Sequence, residues 1–102
     1  MIRHIVFFTA RRPEDREAVF QGLSLLNGIP HCAFFEIGRN FDTDPISPRG
    51  PDFIVYGEFR DEEQLAAYKA HPLYRQSIDV VRPLRDMRIA ADFLSEAETP
   101  AD

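Results

Sequence analysis

The side chains best suited to proton chemistry near neutral pH are three histidines, His4, His31 and His71, together with Tyr68 and Tyr74. Imidazole has both protonation states within reach at pH 7, and a phenol supplies an acid or a hydrogen-bond donor. Tyr68 and His71 are three residues apart and share a helix face wherever the helix continues that far, while Pro72 bends the chain so that Tyr74 extends the row only approximately. Such a row can polarise a carbonyl or hold a phenol. The competing assignment is structural: helix tyrosines packed in the core with hydroxyls at the rim, and His71 tying two helical pieces together. His4 shares the parity of Val6 and Phe8, which places it beneath the helices as a general base or a substrate hydrogen-bond donor. Its structural alternative is a buried ring satisfied by backbone or a neighbouring side chain.

Other chemistries lack a motif. The histidines are far apart, with no HxxxH or CxxC spacing, and the lone Cys32 excludes a thiolate zinc site and an intramolecular disulfide. Asp42, Asp44 and Asp52 have no EF-hand spacing and read as solvated loop carboxylates. There is no GxGxxG or phosphate-binding loop. The expectation is a site without metal or cofactor.

The elements that must hold these residues follow from pattern. Met1 to Ala10 carries bulky residues on both parities, predicting a strand buried on both faces. Pro13, Glu14 and Asp15 open a helix with Val19, Leu23 and Leu26 on one side, closed at Asn27-Gly28 by a left-handed glycine cap and kept closed by Pro30. Cys32 to Gly38 and Phe53 to Phe59 read as strands, and the loop between them, residues 40–52, is functional or mobile. Asp61 and Gln64 cap a helix that His71-Pro72 interrupts, a second piece follows from Leu73 to Val81, and Leu84 to Phe93 forms the last strand. On that strand Met87, Ile89, Ala91 and Phe93 share one face, whereas Asp86, Arg88 and Asp92 face solvent or a polar interior.

The order β-α-β-β-α-β predicts an α+β, ferredoxin-like fold, a four-stranded antiparallel sheet with its helices on one face. Apolar residues on the other face call for a cover, which a two-fold dimer packed sheet to sheet into an α+β barrel supplies. We expect a single domain over residues 1–94 and a polar tail over 95–102.

The chain has 102 residues, 12 Lys plus Arg against 17 Asp plus Glu, and a formal charge of −5. That size supports one core, and the acidic balance argues against nucleic acid as a partner. The basic clusters, Arg11-Arg12 and Arg82 with Arg85 and Arg88, have acids close by in sequence. No apolar run approaches the ~20 residues of a membrane span, and one free Cys suits a reducing, cytoplasmic setting.

Three segments, MIRHIVFF, SPRGPDFIVYGEF and LAAYKAHPLY, together with the late ADF, resemble the stress-responsive A/B barrel (Dabb) family. The resemblance implies a homodimeric α+β barrel with a cavity between each sheet and its helices. It also implies an analogy with a plant branch that cyclises linear polyketides without cofactor or metal, using a Tyr three residues before the His of an HPxH motif and the motif's second His. Tyr68 and His71 match the first two positions, but Tyr74 stands where the second His belongs, and Gly22 replaces an aromatic residue that narrows the cyclase cavity. A tyrosine is protonated at neutral pH and is no general base. The functional expectation is therefore a homodimer of uncertain biochemical role that binds a small apolar or aromatic molecule, with His4, Val55, Leu65, Tyr68, His71 and Tyr74 as binding residues. The alternative is a cofactor-free enzyme, polyketide-cyclase-like or quinol-monooxygenase-like, acting on a phenolic or carbonyl substrate with His4, Tyr68 and His71 as catalytic candidates.

Overall fold

Alternation along the first strand decides the architecture. In the computed structural model, which describes residues 1–46 and 49–96, β1 (Ile2–Ala10) buries His4, Val6 and Phe8 on one face and leaves its other face only half covered. β1 lies in the interior of a four-stranded sheet ordered β2-β3-β1-β4, with β2 at Phe34–Arg39, β3 at Phe53–Phe59 and β4 at Arg85–Leu94. Every pairing is antiparallel, with Val6 opposite Val55 on one side and Ala90 on the other. The helices α1 (Arg16–Ser24), α2 (Glu62–Ala70) and α3 (Pro72–Val81) complete the split βαβ topology anticipated from the element order. Val19, Leu23 and Leu26 from the α1 region, Val81 from α3 and Tyr68 from α2 close over Val6, Phe8, Phe53, Val55 and Phe59 to form the core.

Several local expectations are corrected. Pro13 opens a 3-10 turn, Pro13–Asp15, and the α-helix begins only at Arg16. The helix ends in another 3-10 turn, Leu25–Gly28, and Gly28 is not left-handed; among the described residues only Asp42, with φ 63°, has that conformation. What requires glycine at 28 is space, because a Cβ there would stand 2.7 Å from Leu73 Cδ1. Cys32 precedes β2 rather than opening it, with its amide hydrogen-bonded to the Pro30 carbonyl. The α2 start forms as its sequence implies: Gln64 N–H donates to Asp61 Oδ1 at 2.8 Å, and Gln64 Oε1 accepts from Arg60 N–H at 2.7 Å.

Asp52 is not a solvated loop carboxylate. It accepts from Ala10 N–H at 2.8 Å and pairs with Arg16 at 3.3 Å, while its own amide donates to the Phe8 carbonyl at 2.8 Å. These bonds pin the end of the 40–52 loop to β1. We expect Asp52→Ala to cost about 1 kcal/mol in urea unfolding, since the freed Ala10 amide is near enough to the surface to find water. Of the expected tail, Ser95 donates its amide to the Met1 carbonyl at 2.9 Å, and residues 97–102 lie outside the described residues.

The outward face of the sheet carries Phe34, Ile89 and Phe93, each about half exposed, beside Phe7 and Ile54. Arg3, Tyr56 and Glu58 form a polar cluster on this face, with Arg3 Nη1 donating to Tyr56 at 2.7 Å and Tyr56 donating to Glu58 at 2.5 Å.

Candidate functional site

The sheet's inner face and the helices do not meet everywhere. Between β1, β4 and α3 lies a cavity of about 270 Å³, floored by His4, Val6, Phe8 and Val55 and roofed by Tyr68, Tyr74, Ser77, Ile78 and Val81. Arg82, Arg85 and Arg88 line it as well. It exists because β4 is an edge strand whose inner face stays open, Ala90 included, while α1 covers β1 and α2 covers β3. Ser77 donates to the Gly22 carbonyl at 2.9 Å and fastens α3 to α1. A Cβ at position 22 would lie 2.7 Å from Val81 and 2.8 Å from Val80, so Gly22 is required by the α1–α3 approach and leaves no room for an aromatic side chain.

His4 is 2 % exposed, and its Nδ1 lies 2.5 Å from Asp92 Oδ1. A carboxylate only accepts, so Nδ1 carries the proton and donates it. Burial pushes the imidazole pKa below its ordinary value, and the opposing effect of Asp92 does not overcome that. The ring is therefore neutral near pH 7. Nε2 has no hydrogen-bond partner among the described residues and, on a ring that lines the cavity, presents a free lone pair there. A carboxylate that fixes tautomer and orientation while the other nitrogen meets a ligand is the arrangement of a general base.

Tyr68 is 1 % exposed, with its ring against His4 at 6.0 Å, Phe59 at 5.0 Å and Tyr74 at 5.3 Å between centroids. Its hydroxyl makes no hydrogen bond to the described residues and is not sealed from solvent. Burial raises its pKa well above the usual phenol value, reinforced by Tyr74 and Cys32. The phenol accordingly stays protonated and acts as a donor. Together, neutral His4 and protonated Tyr68 can accept a proton from a ligand and donate a hydrogen bond to its oxygen.

The structure gathers His4, Val55, Tyr68 and Tyr74 around one cavity, but neither Leu65 nor His71 lines it. Leu65 borders a shallow outer groove with Lys69, Asp92 and Leu94. His71 leaves the Tyr68 helix face because α2 stops at Ala70 and residue 71 is extended, with φ −69° and ψ 142°. Its Nδ1 instead accepts from Leu73 N–H at 3.1 Å and caps α3, and its ring packs against His31 at 6.0 Å. The parity of Asp92 on β4 leaves solvent and a polar interior equally open; what decides is the register that sets it opposite His4.

No metal-holding group of three or more His, Cys, Asp or Glu occurs among the described residues. Likewise, no helix among them is long and apolar enough to cross a membrane.

Comparison with known proteins places this site in context. No curated protein matches the chain in sequence. A dimeric ferredoxin-like protein of unknown function from Thermobifida fusca is 28 % identical, with a TM-score of 0.74 and coverage of 90 % of this chain and 88 % of that one. A Dabb family protein with a ferredoxin-like fold from Mesorhizobium loti is 23 % identical, with a TM-score of 0.74 over 92 % of this chain and 95 % of that one. A Nitrosomonas europaea protein provisionally named an antibiotic biosynthesis monooxygenase superposes with a TM-score of 0.78 at 20 % identity, covering 94 % of this chain and 99 % of that one. The fold is thus ferredoxin-like, and since the profile of the stress responsive A/B barrel domain, Dabb, matches residues 2–95, the chain belongs to that family.

Proposed function

We propose that the protein is a homodimer in which each chain binds a small apolar or aromatic molecule between its sheet and helices. The observation that carries the reading is the cavity itself: about 270 Å³ of mainly apolar space lined by Tyr68, whose hydroxyl makes no hydrogen bond to the described residues. A ligand there gains apolar contact from Val6, Phe8, Leu23 and Ile78 and one oriented hydrogen bond from Tyr68. 2-Naphthol, an aromatic ring with one hydroxyl, is a suitable probe. Calorimetry should show saturable binding to the wild type and its loss in Ile78→Trp, which fills the cavity. Equal binding to both proteins would contradict the cavity as the site.

The dimer rests on the outward sheet face, with Ile89, Phe93 and Phe34 exposed, and on relatives described as dimeric. Light scattering should give twice the monomer mass for the wild type and a monomer, or insoluble protein, for Phe7→Glu. A wild-type monomer at micromolar concentration would contradict the barrel. A reducing, cytoplasmic setting suits the free Cys32.

A second reading is favoured by one specific observation, the Asp92-oriented His4 ring. It makes the protein a cofactor-free enzyme that removes a proton from a phenolic or carbonyl substrate, with His4 as base and Tyr68 as donor to the developing oxyanion. His71, committed to capping α3, has no part in it. Oxygen uptake with a quinol would identify the monooxygenase-like version, and cyclisation gained by Tyr74→His the cyclase-like one.

A further inference from the structure

We infer that the cavity selects ligands with an acidic head group, held by the guanidinium groups of Arg82, Arg85 and Arg88. The inference rests on the cavity being a ligand site, as proposed above.

Arg82 caps the C-terminal end of α3, and Arg85 and Arg88 belong to β4. Residues three apart on a regular strand point to opposite faces. Here the β1–β4 register shifts between Phe8, opposite Arg88, and Ala10, opposite Arg85, and Thr9 Oγ1 takes the Met87 amide at 2.9 Å. This bulge brings Arg85 and Arg88 to the same cavity.

None of the three arginines has a carboxylate partner among the described residues, although the chain as a whole carries a formal charge of −5. Asp86, the acid nearest in sequence, offers Arg85 only its main-chain carbonyl, at 3.3 Å. Arg3, Arg12, Arg16, Arg39 and Arg75 each pair with a carboxylate, whereas Arg11, Arg49 and Arg60, outside this cavity, pair with none among the described residues; what sets Arg82, Arg85 and Arg88 apart is that all three line one cavity. Arg82 complements the negative end of the α3 dipole. That role does not extend to Arg85 and Arg88, which sit on the strand. Arg88 instead reaches toward the Phe8 ring, 6.0 Å from its centroid.

Of the three arginines, Arg88 comes near enough to the proton-transfer pair to act electrostatically on both His4 and Tyr68. An acidic head among the arginines would hold an apolar body against Val6, in the same cavity as His4 and Tyr68. The arginines thus set the ligand's orientation as well as its charge.

The test compares three probes of one shape, 2-naphthoate, 2-naphthyl phosphate and 2-naphthamide, by calorimetry on the full chain. At least one acid should bind about tenfold or more tightly than the amide, and the tighter acid identifies the head group. In Arg85→Gln/Arg88→Gln that advantage, read as the ratio of acid to amide affinity, should fall about tenfold. Should the variant fail to fold, raising the salt concentration on the wild type should weaken the acids and spare the amide. Equal affinity for all three probes would overturn the inference and leave the binding cavity standing. An acid advantage that survives both the double substitution and high salt would also overturn it, and no binding of any probe would overturn the inference and the cavity reading together.

Discussion

Replacing Tyr68 by Ala is expected to destabilise the protein by ~3–5 kcal/mol, the range for removing a large buried aromatic side chain. The ring is 1 % exposed and stands at the meeting point of His4, Phe35, Phe59 and Tyr74. Its removal would join a new void to the cavity that Tyr68 already lines. Tyr68→Phe should behave in the opposite way. The hydroxyl makes no hydrogen bond to the described residues, so its loss costs no internal hydrogen bond, and stability should stay within ~0.5 kcal/mol of the wild type. Affinity for 2-naphthol should nevertheless fall, because the oriented donor has gone. Urea unfolding and calorimetry on the two variants separate packing from recognition. A large loss of stability in Tyr68→Phe would show that the hydroxyl serves the fold.

Asp92→Ala should be the next most damaging change, at ~2–3 kcal/mol, because it leaves the buried His4 Nδ1–H without an acceptor. Its pH dependence follows from the direction of the His4 shift. The folded-state pKa lies below the unfolded value of about 6.5, so the unfolded chain binds more protons between those two values. His4 therefore contributes stability that is fully present above pH ~6.5 and is lost as the pH falls toward the folded-state pKa. Asp92 is what holds that pKa up against burial. Without it the pKa drops further and the window of loss extends to lower pH. Unfolding at pH 8 and pH 5 should show a wider stability gap in Asp92→Ala than in the wild type. An equal gap, or greater stability at the lower pH, would contradict a neutral buried His4.

How far the site was legible from the residues depended on whether its signal was periodic. His4 was placed beneath the helices because it shares parity with Val6 and Phe8, and a two-residue period survives any strand pairing. The element order along the chain and the helix break are equally legible, from apolar runs, Pro72 and the Asp61 cap. What failed depended on geometry that no period encodes. His71 was joined to Tyr68 by helical spacing, but the residue before a proline leaves the helix, and its ring turned to the α3 amides. Asp92 needed the register of two strands 88 residues apart along the chain. Arg85 needed a bulge, which inverts the parity that alternation would assign. At Gly28 the requirement is space rather than a left-handed backbone, because its lack of a side chain admits Leu73.

Whether a neutral His4 offers a bare Nε2 to a ligand in the cavity is read from nitrogen-15 NMR of the three imidazole rings during titration with 2-naphthol. His4 should show the neutral Nδ1–H tautomer at pH 7 and a saturable shift at Nε2, while His31 and His71, packed together away from the cavity, stay unchanged. A protonated His4, or shifts confined to His31 and His71, would contradict that role for Nε2.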